Sequence, residues 1–226
     1  MRKRDALAYS GLHFFYQFMG FPKEALEVAR QAAELEPLHF PYRHYFELSL
    51  WQAGRLPEAL AAAEAALEIQ PGHTMILHEL CALSARLGKI EQARAYARQL
   101  AAQPNGGWSW LSKDCEIEVS FRSATAAQTH RLLDQVDRNS YFDTSTLAQH
   151  YARVGDLNAA MKLFTAAYDK RDVPGLVVVR YDPVTPKQLL QDSRWKALWQ
   201  RPLLRDWQRY HDRIAADLLR ASTSGH

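Results

Sequence analysis

The sequence predicts an all-α fold: a right-handed superhelical solenoid of about five helix hairpins with a C-terminal helical cap. Three observations predict it. Gly20, Gly54 and Gly88 lie 34 residues apart, and each is followed by an alanine five residues later (Ala25, Ala59, Ala93) and by a proline sixteen or seventeen later (Pro37, Pro71, Pro104). A repeat of this length is one helix hairpin, whose apolar face is buried only by stacking on its neighbours. Between these points apolar residues recur every three or four positions, the rhythm of one helical face. Finally, Gly155 falls 67 residues beyond Gly88, close to twice the period, so a further unit must fill the gap.

The units lie near residues 5–37, 40–71, 74–104, 108–137 and 141–170. In the first, an apolar stripe through Leu7, Tyr9, Leu12, Tyr16 and Met19 ends at Gly20, and Pro22 opens a partner helix carrying Ala25, Leu26, Ala29, Ala32, Ala33 and Leu35. Glycine lets the chain leave the first helix at positive φ, and proline suits a first helical turn because its missing N–H had no partner there. The second unit repeats this through Phe46, Leu50, Trp51, Gly54, Pro57, Ala59, Leu60, Ala63 and Ala66. The third runs through Leu77, Leu80, Leu83, Leu87, Gly88, Ala93, Ala97 and Leu100. The small residues mark close helix contacts that a larger side chain would overpack.

After Gly107 the pattern weakens. A helix from Trp108 to Phe121 and a partner from Ala124 to Val136 form a degenerate fourth unit in which Ala124 and Thr129 replace the glycine and the key alanine. The fifth is clean again in Leu147, Tyr151, Gly155, Ala160, Phe164 and Ala167. Beyond Lys170 the run from Arg171 to Gly175 breaks the helix, and Leu176 to Val179 is a short β-branched segment, the one place where a strand is tolerated. Residues 171–220, with Trp195, Leu198, Trp199, Leu203, Leu204 and Trp207, form a capping segment for the last open hairpin. Residues 221–226 read as a disordered tail.

Lys+Arg of 28 against Asp+Glu of 25 gives a net charge of +3. The basic residues are dispersed except in Arg2-Lys3-Arg4 and in the arginine-rich stretch from Arg194 to Arg220, so no nucleic-acid footprint is expected. No stretch reads as a signal peptide or a membrane span, and the expected location is cytoplasmic. Cys81 and Cys115 are read as reduced, partly buried thiols. Their separation of 34 would place them on neighbouring first helices if the register held; a slip is expected there, and a bridge stays open as the alternative.

The residues Tyr9, Leu12, Tyr16, Gly20, Ala25, Ala32 and Pro37, matched in the fifth unit by Leu147, Tyr151, Gly155, Ala160, Phe164 and Ala167, resemble tetratricopeptide repeat (TPR) proteins over residues 5–170. A narrower likeness follows in Tyr151-Ala152-Arg153-Val154-Gly155-Asp156, Ala166-Ala167-Tyr168, Arg171-Asp172, Asp182-Pro183 and Asp192-Ser193-Arg194-Trp195. That succession is similar to the end of the repeat regions behind winged-helix transcription activators of the CadC type and in some bacterial adenylyl cyclases. The resemblance implies a regulatory or sensing module of a bacterial protein. The chain starts in its first hairpin, so DNA binding and cyclase chemistry are not carried over.

In such a fold the first helix of each hairpin lines a concave groove. Counting back from each turn gives Phe14, Gln17 and Phe18 in unit one, His44, Leu48, Trp51 and Gln52 in unit two, His78, Ala82, Ala85 and Arg86 in unit three, and Ser145, Gln149 and Arg153 in unit five. Aromatic anchors, amides and arginines in one groove suit a protein or peptide partner carrying apolar and some acidic side chains. The alternative is that Phe14, Phe18 and Trp51 pack between hairpins. His44 and His78 share a repeat position and are read as groove hydrogen bonders; no carboxylate or thiol is seen to complete a metal site, and no metal or cofactor is expected. Neither a nucleophile motif nor a phosphate loop is present, Glu116 and Glu118 read as neighbours by chance, and no catalysis is expected. The rival readings are the regulatory half of a larger signalling or transcription protein, and an enzyme with an unrecognised helical site. The aromatic segment around Trp195, Trp199 and Trp207, read as exposed, is the fallback interaction surface and an oligomer contact.

Overall fold

The computed structural model describes residues 5–104, 109–136 and 144–223, and no strand occurs among them. Five hairpins follow one another: α1 (Ala6–Phe18) with α2 (Pro22–Leu35), α3 (Phe40–Gln52) with α4 (Leu56–Ile69), α5 (Thr74–Arg86) with α6 (Ile90–Ala101), α7 (Ser109–Ser123) with α8 (Ala126–Asp134), and α9 (Thr144–Arg153) with α10 (Leu157–Asp169). Four further helices complete the chain: α11 (Val173–Tyr181), α12 (Lys187–Gln191), α13 (Ser193–Trp199) and α14 (Pro202–Thr223).

The turns work as their spacing predicts. Gly20, Gly54, Gly88 and Gly155 all take positive φ, between 74° and 92°. In the first turn the Phe21 N–H donates to the Tyr16 carbonyl at 2.9 Å, and in the second Arg55 N–H does the same to Leu50. These bonds satisfy carbonyls at the helix end that would otherwise have no partner. Gly20 has a second constraint, because a Cβ there would stand 2.5 Å from the Tyr181 ring.

The repeat alanines Ala25, Ala59, Ala93 and Ala160 have no solvent exposure. Ala59→Leu or Ala93→Leu is therefore expected to cost about 1–3 kcal/mol, since overpacking a close contact forces neighbours off their rotamers. A urea midpoint equal to the parent's would show that the position tolerates volume. In the fourth unit Thr129 takes the alanine's place at 1 % exposure. Its helix α8 is only nine residues long, started by a reciprocal cap between Thr125 and Gln128.

Several expectations are corrected. The buried face of α1 is Ala6, Ser10 and His13, whereas Leu7 and Leu12 point to solvent at 71 % and 43 % exposure. No helix among the described residues covers that side of α1. The segment Leu176 to Val179 is helical: the break is one residue, Arg171 at φ 61°, after which the Asp172 carboxylate caps α11 by accepting from Gly175 N–H at 3.0 Å. Its β-branched composition reflects burial, with Leu176 and Val177 fully enclosed. Residues 221–223 continue α14, so that part of the expected disordered tail is helical, while 224–226 lie outside the described residues. The closing turn 105–107, the start of unit four at Trp108 and the join between units four and five (137–143) also lie outside them.

Cys81 and Cys115 form a disulfide between α5 and α7, with Cα atoms 5.9 Å apart. The register does not slip here because the degenerate turn of unit four comes after α7, leaving the α5–α7 pairing untouched. Nor is the aromatic C-terminal segment exposed. Trp195, Trp199 and Trp207 are at most 9 % exposed; Trp195 packs edge-on against Phe164 of α10, and Trp207 Nε1 donates to the Phe18 carbonyl at 3.1 Å. The cap thus covers the last hairpin and also returns to the first, where His211 stacks on Phe21 at 4.6 Å between ring centres. Helix α11 lies against α1, α9 and α10, inside the concave face.

Candidate functional site

Equivalent positions on successive first helices stand side by side, so charges placed there stabilise one another when they alternate in sign. On α5, α7 and α9 they do. Asp114 accepts from His78 Nε2 through one carboxylate oxygen and from His150 Nε2 through the other, each at 2.7 Å. Further along, Glu118 accepts from Arg86 at 2.8 Å and from Arg153 at 2.6 and 3.1 Å. Asp114 and Glu118 are 4 % and 2 % exposed, so both charges are held away from water.

Burial alone would raise both carboxyls, yet His150 and His78 hold Asp114 well below the usual carboxylate range, and Arg153 and Arg86 do the same for Glu118. Burial would lower the His78 imidazole, but its bond to Asp114 carries it above its ordinary value. Arg86 also faces Asp182 at 3.6 Å, and its guanidinium lies 4.5 Å from the centre of the Trp51 ring. Arg153 covers Phe121 at 3.6 Å.

Between the first helices and α11 this network borders a cavity of about 290 Å³. Its apolar wall is Leu48, Trp51, Met75, Ala82, Trp110, Val178 and Val179, and its polar rim includes Gln52, His78, Glu79, Arg86, Gln149 and Asp182. Of the groove residues read from sequence, the structure brings Leu48, Trp51, Gln52, His78, Ala82, Arg86 and Gln149 together here. Phe14 and Phe18 stay outside this cavity, each 37 % exposed, with Phe14 edge-on to Tyr45 of α3 at 4.8 Å between ring centres, while Gln17 faces Val177 and Tyr181 of α11. Ala85 is core, Ser145 donates to Asp172 at 2.7 Å, and Arg153 lies behind Glu118. His44 sits between Glu47 and Glu79, which corrects the expectation that no carboxylate stands near it.

Asp114 and His150 were not singled out from the sequence, Asp182 entered only through the resemblance, and Glu118 only beside Glu116, from which it is separate: Glu116 pairs with Lys113 at the surface and buried Glu118 with Arg86 and Arg153. A signal existed: His78, Asp114 and His150 are spaced by 36 residues each, and Arg86, Glu118 and Arg153 by 32 and 35. Charges alternating in sign at close to the repeat period are stabilised by the stacking of α5, α7 and α9.

A wider cleft of about 580 Å³ lies between α11, α13 and α14, bordered by Arg180, Tyr181, Trp195, Trp199, Gln208 and Asp212. Its aromatic faces are already engaged, Trp199 by Arg180 at 4.1 Å and Trp195 by Phe164. The smaller cavity is the better candidate.

No known protein family matches the chain, and no curated protein does. Among solved structures, one described as "MamA RS-1 ArsTM double mutant" is similar at 15 % identity, covering 83 % of this chain and 97 % of that one with a TM-score of 0.48. A likeness of that extent adds nothing to the helices themselves. The residues behind the narrower sequence resemblance hold structural positions here: Gly155 makes a turn, and Asp156, Asp172 and Asp192 cap α10, α11 and α13.

Proposed function

We propose that the protein is an interaction module that takes a peptide or protein segment on its concave face, seating one apolar side chain of the partner in the cavity beside Trp51. The observation that supports this is the pairing of an apolar wall with unused donors. Arg86 Nε and His78 Nδ1 are buried without a hydrogen-bond partner, and Arg86 Nη1 has only the 3.6 Å approach of Asp182. Buried donors left unmade are costly, and a carbonyl or carboxylate beside the anchor residue would satisfy them. Binding rather than catalysis fits the electrostatics, because Asp114 and Glu118 each have two cationic or imidazole partners and are held ionised, which leaves neither poised as a general acid. No helix among the described residues is long and apolar enough to cross a membrane.

Selection of a random displayed-peptide library on the immobilised protein tests the reading. Peptides sharing one large apolar residue next to an acidic one are expected. Trp51→Ala with Met75→Ala should weaken them on the order of thirtyfold, about 2 kcal/mol, at unchanged helical content. The failure of any peptide to enrich, or equal affinity for parent and variant, would sink the proposal. Arg86 is unsuited to this test, since removing it strips Glu118 and Asp182 of a counter-charge and confounds binding with folding.

The expected cytoplasmic location and the disulfide point in opposite directions, because such bridges persist in oxidising compartments. The disulfide is the stronger observation. A free-thiol count on protein trapped directly from cells decides between them.

A further inference from the structure

We propose that His44, Glu47 and Glu79 form a binding site for a divalent transition-metal cation, of which Zn²⁺ is the probe, between α3 and α5. Helical spacing puts His44 and Glu47 on one face of α3, and the repeat brings Glu79 of α5 opposite them. One ligand atom from each lies within 4.8 Å of the other two.

The two distances from the imidazole are close to those of a coordination sphere, and the third separation, between the carboxylates, is within 4.8 Å. His44 Nδ1 stands 3.2 Å from a Glu79 oxygen and 3.5 Å from a Glu47 oxygen. Neither approach is a well-directed hydrogen bond, and Nδ1 is left without a partner. A tetrahedral zinc with bonds of about 2.0–2.2 Å spaces its ligand atoms roughly 3.3–3.6 Å apart. The two contacts bracket the lower end of that range.

Burial is the independent observation. Glu47 is 0 % exposed, and neither of its carboxylate oxygens has a hydrogen-bond donor. A second carboxylate, Glu79, stands beside it at 5 % exposure with one oxygen likewise unpartnered. Two enclosed carboxylates facing each other are a costly arrangement unless positive charge stands between them, supplied by an imidazolium at His44 or by a bound cation. One divalent cation balances both charges with the imidazole neutral, so the enclosed group as a whole carries no net charge. Imidazole with two carboxylates is a borderline donor set, suited to zinc and its first-row neighbours over calcium. Three protein ligands leave a fourth position for water or a partner's donor group. Glu79 also borders the cavity beside Trp51, so metal and peptide sites would share a wall.

The test is calorimetric titration of ZnCl₂ into the chelator-treated full chain, with Co²⁺ absorption as a second readout. One equivalent should bind to the parent, and Glu47→Gln and Glu79→Gln should each weaken it at least tenfold. His39→Gln, at an exposed histidine outside the cluster, should leave binding unchanged. Cobalt in the parent should show the strong visible bands of a low-coordinate site. Absence of stoichiometric binding, Glu47→Gln binding as tightly as the parent, or a cobalt spectrum as weak as that of the hydrated ion would overturn the proposal. Should the glutamine variants fail to fold, the parent's cobalt spectrum decides alone. Peptide binding that survives chelation with zinc binding absent would sink the metal site and leave the interaction proposal standing.

Discussion

Glu118→Gln is expected to destabilise the protein by about 3–5 kcal/mol at neutral pH, the cost of removing one partner from a buried ion pair. The substitution keeps shape and removes charge, leaving Arg86 facing only Asp182 at 3.6 Å and Arg153 with no carboxylate within bonding distance among the described residues. Side-chain exposures of 8 % and 11 % mean that water replaces the lost partner poorly at either arginine. Acid should show the same interaction. The Glu118 carboxyl is depressed in the fold below its ordinary 4.5, so its contribution is complete above that pH and is lost as pH falls from there toward the folded value. Parent stability from urea unfolding should therefore decline on acidification below about pH 4.5 more steeply than that of Glu118→Gln. Equal midpoints for the two proteins at pH 7 would show that the arginines are solvated despite their burial. Replacing Glu118, Arg86 and Arg153 by apolar residues of similar size, together with Asp182→Asn, should cost much less than the single change, because no member of the buried charge network is then left unpaired.

That ladder also shows where sequence reading succeeds and where it stops. The hairpins were legible because each is written locally: Gly20, Gly54, Gly88 and Gly155 end first helices, and the zero-exposure alanines mark close contacts. The groove register was legible in units two and three for the same reason, and it placed Leu48, Trp51, His78 and Arg86 on one cavity. What failed was long-range. Nothing near Val177 or Trp207 in sequence says that α11 fills the concave face or that an indole reaches the Phe18 carbonyl 189 residues away. Those contacts depend on the accumulated rotation of five hairpins, which a periodic pattern does not encode. The outward face of α1 failed for a related reason, since an apolar pattern does not say which helix will lie against it, and Leu7 and Leu12 stay exposed among the described residues. His44 was found and its partners were not. A carboxylate three residues on is easily taken for a solvated surface group until the next hairpin is seen to enclose it.

Removal of the Cys81–Cys115 bridge by the double change to alanine is expected to cost about 3–4 kcal/mol, the loop-closure value for a cross-link of this span. The cysteines are 34 residues apart, so the bridge restricts an unfolded segment the length of one whole repeat while fastening α5 to α7. The neighbouring structure gives it a second role. Those helices also carry the His78–Asp114 and Arg86–Glu118 pairs, and fixing their spacing preserves the alignment on which the alternating charges depend. Both cysteines are fully enclosed among Leu77, Ala85 and Leu111, out of reach of a reductant in the folded state. Dithiothreitol added to native protein should therefore release thiol only slowly, and denaturant should make release immediate. Thiol titration of the unfolded, unreduced protein should find no free thiol, and its urea midpoint should exceed that of the double-alanine variant. Two free thiols with matching midpoints would mean that the cysteines act as small apolar core residues in a reduced protein, and the cytoplasmic location read from the sequence would then stand.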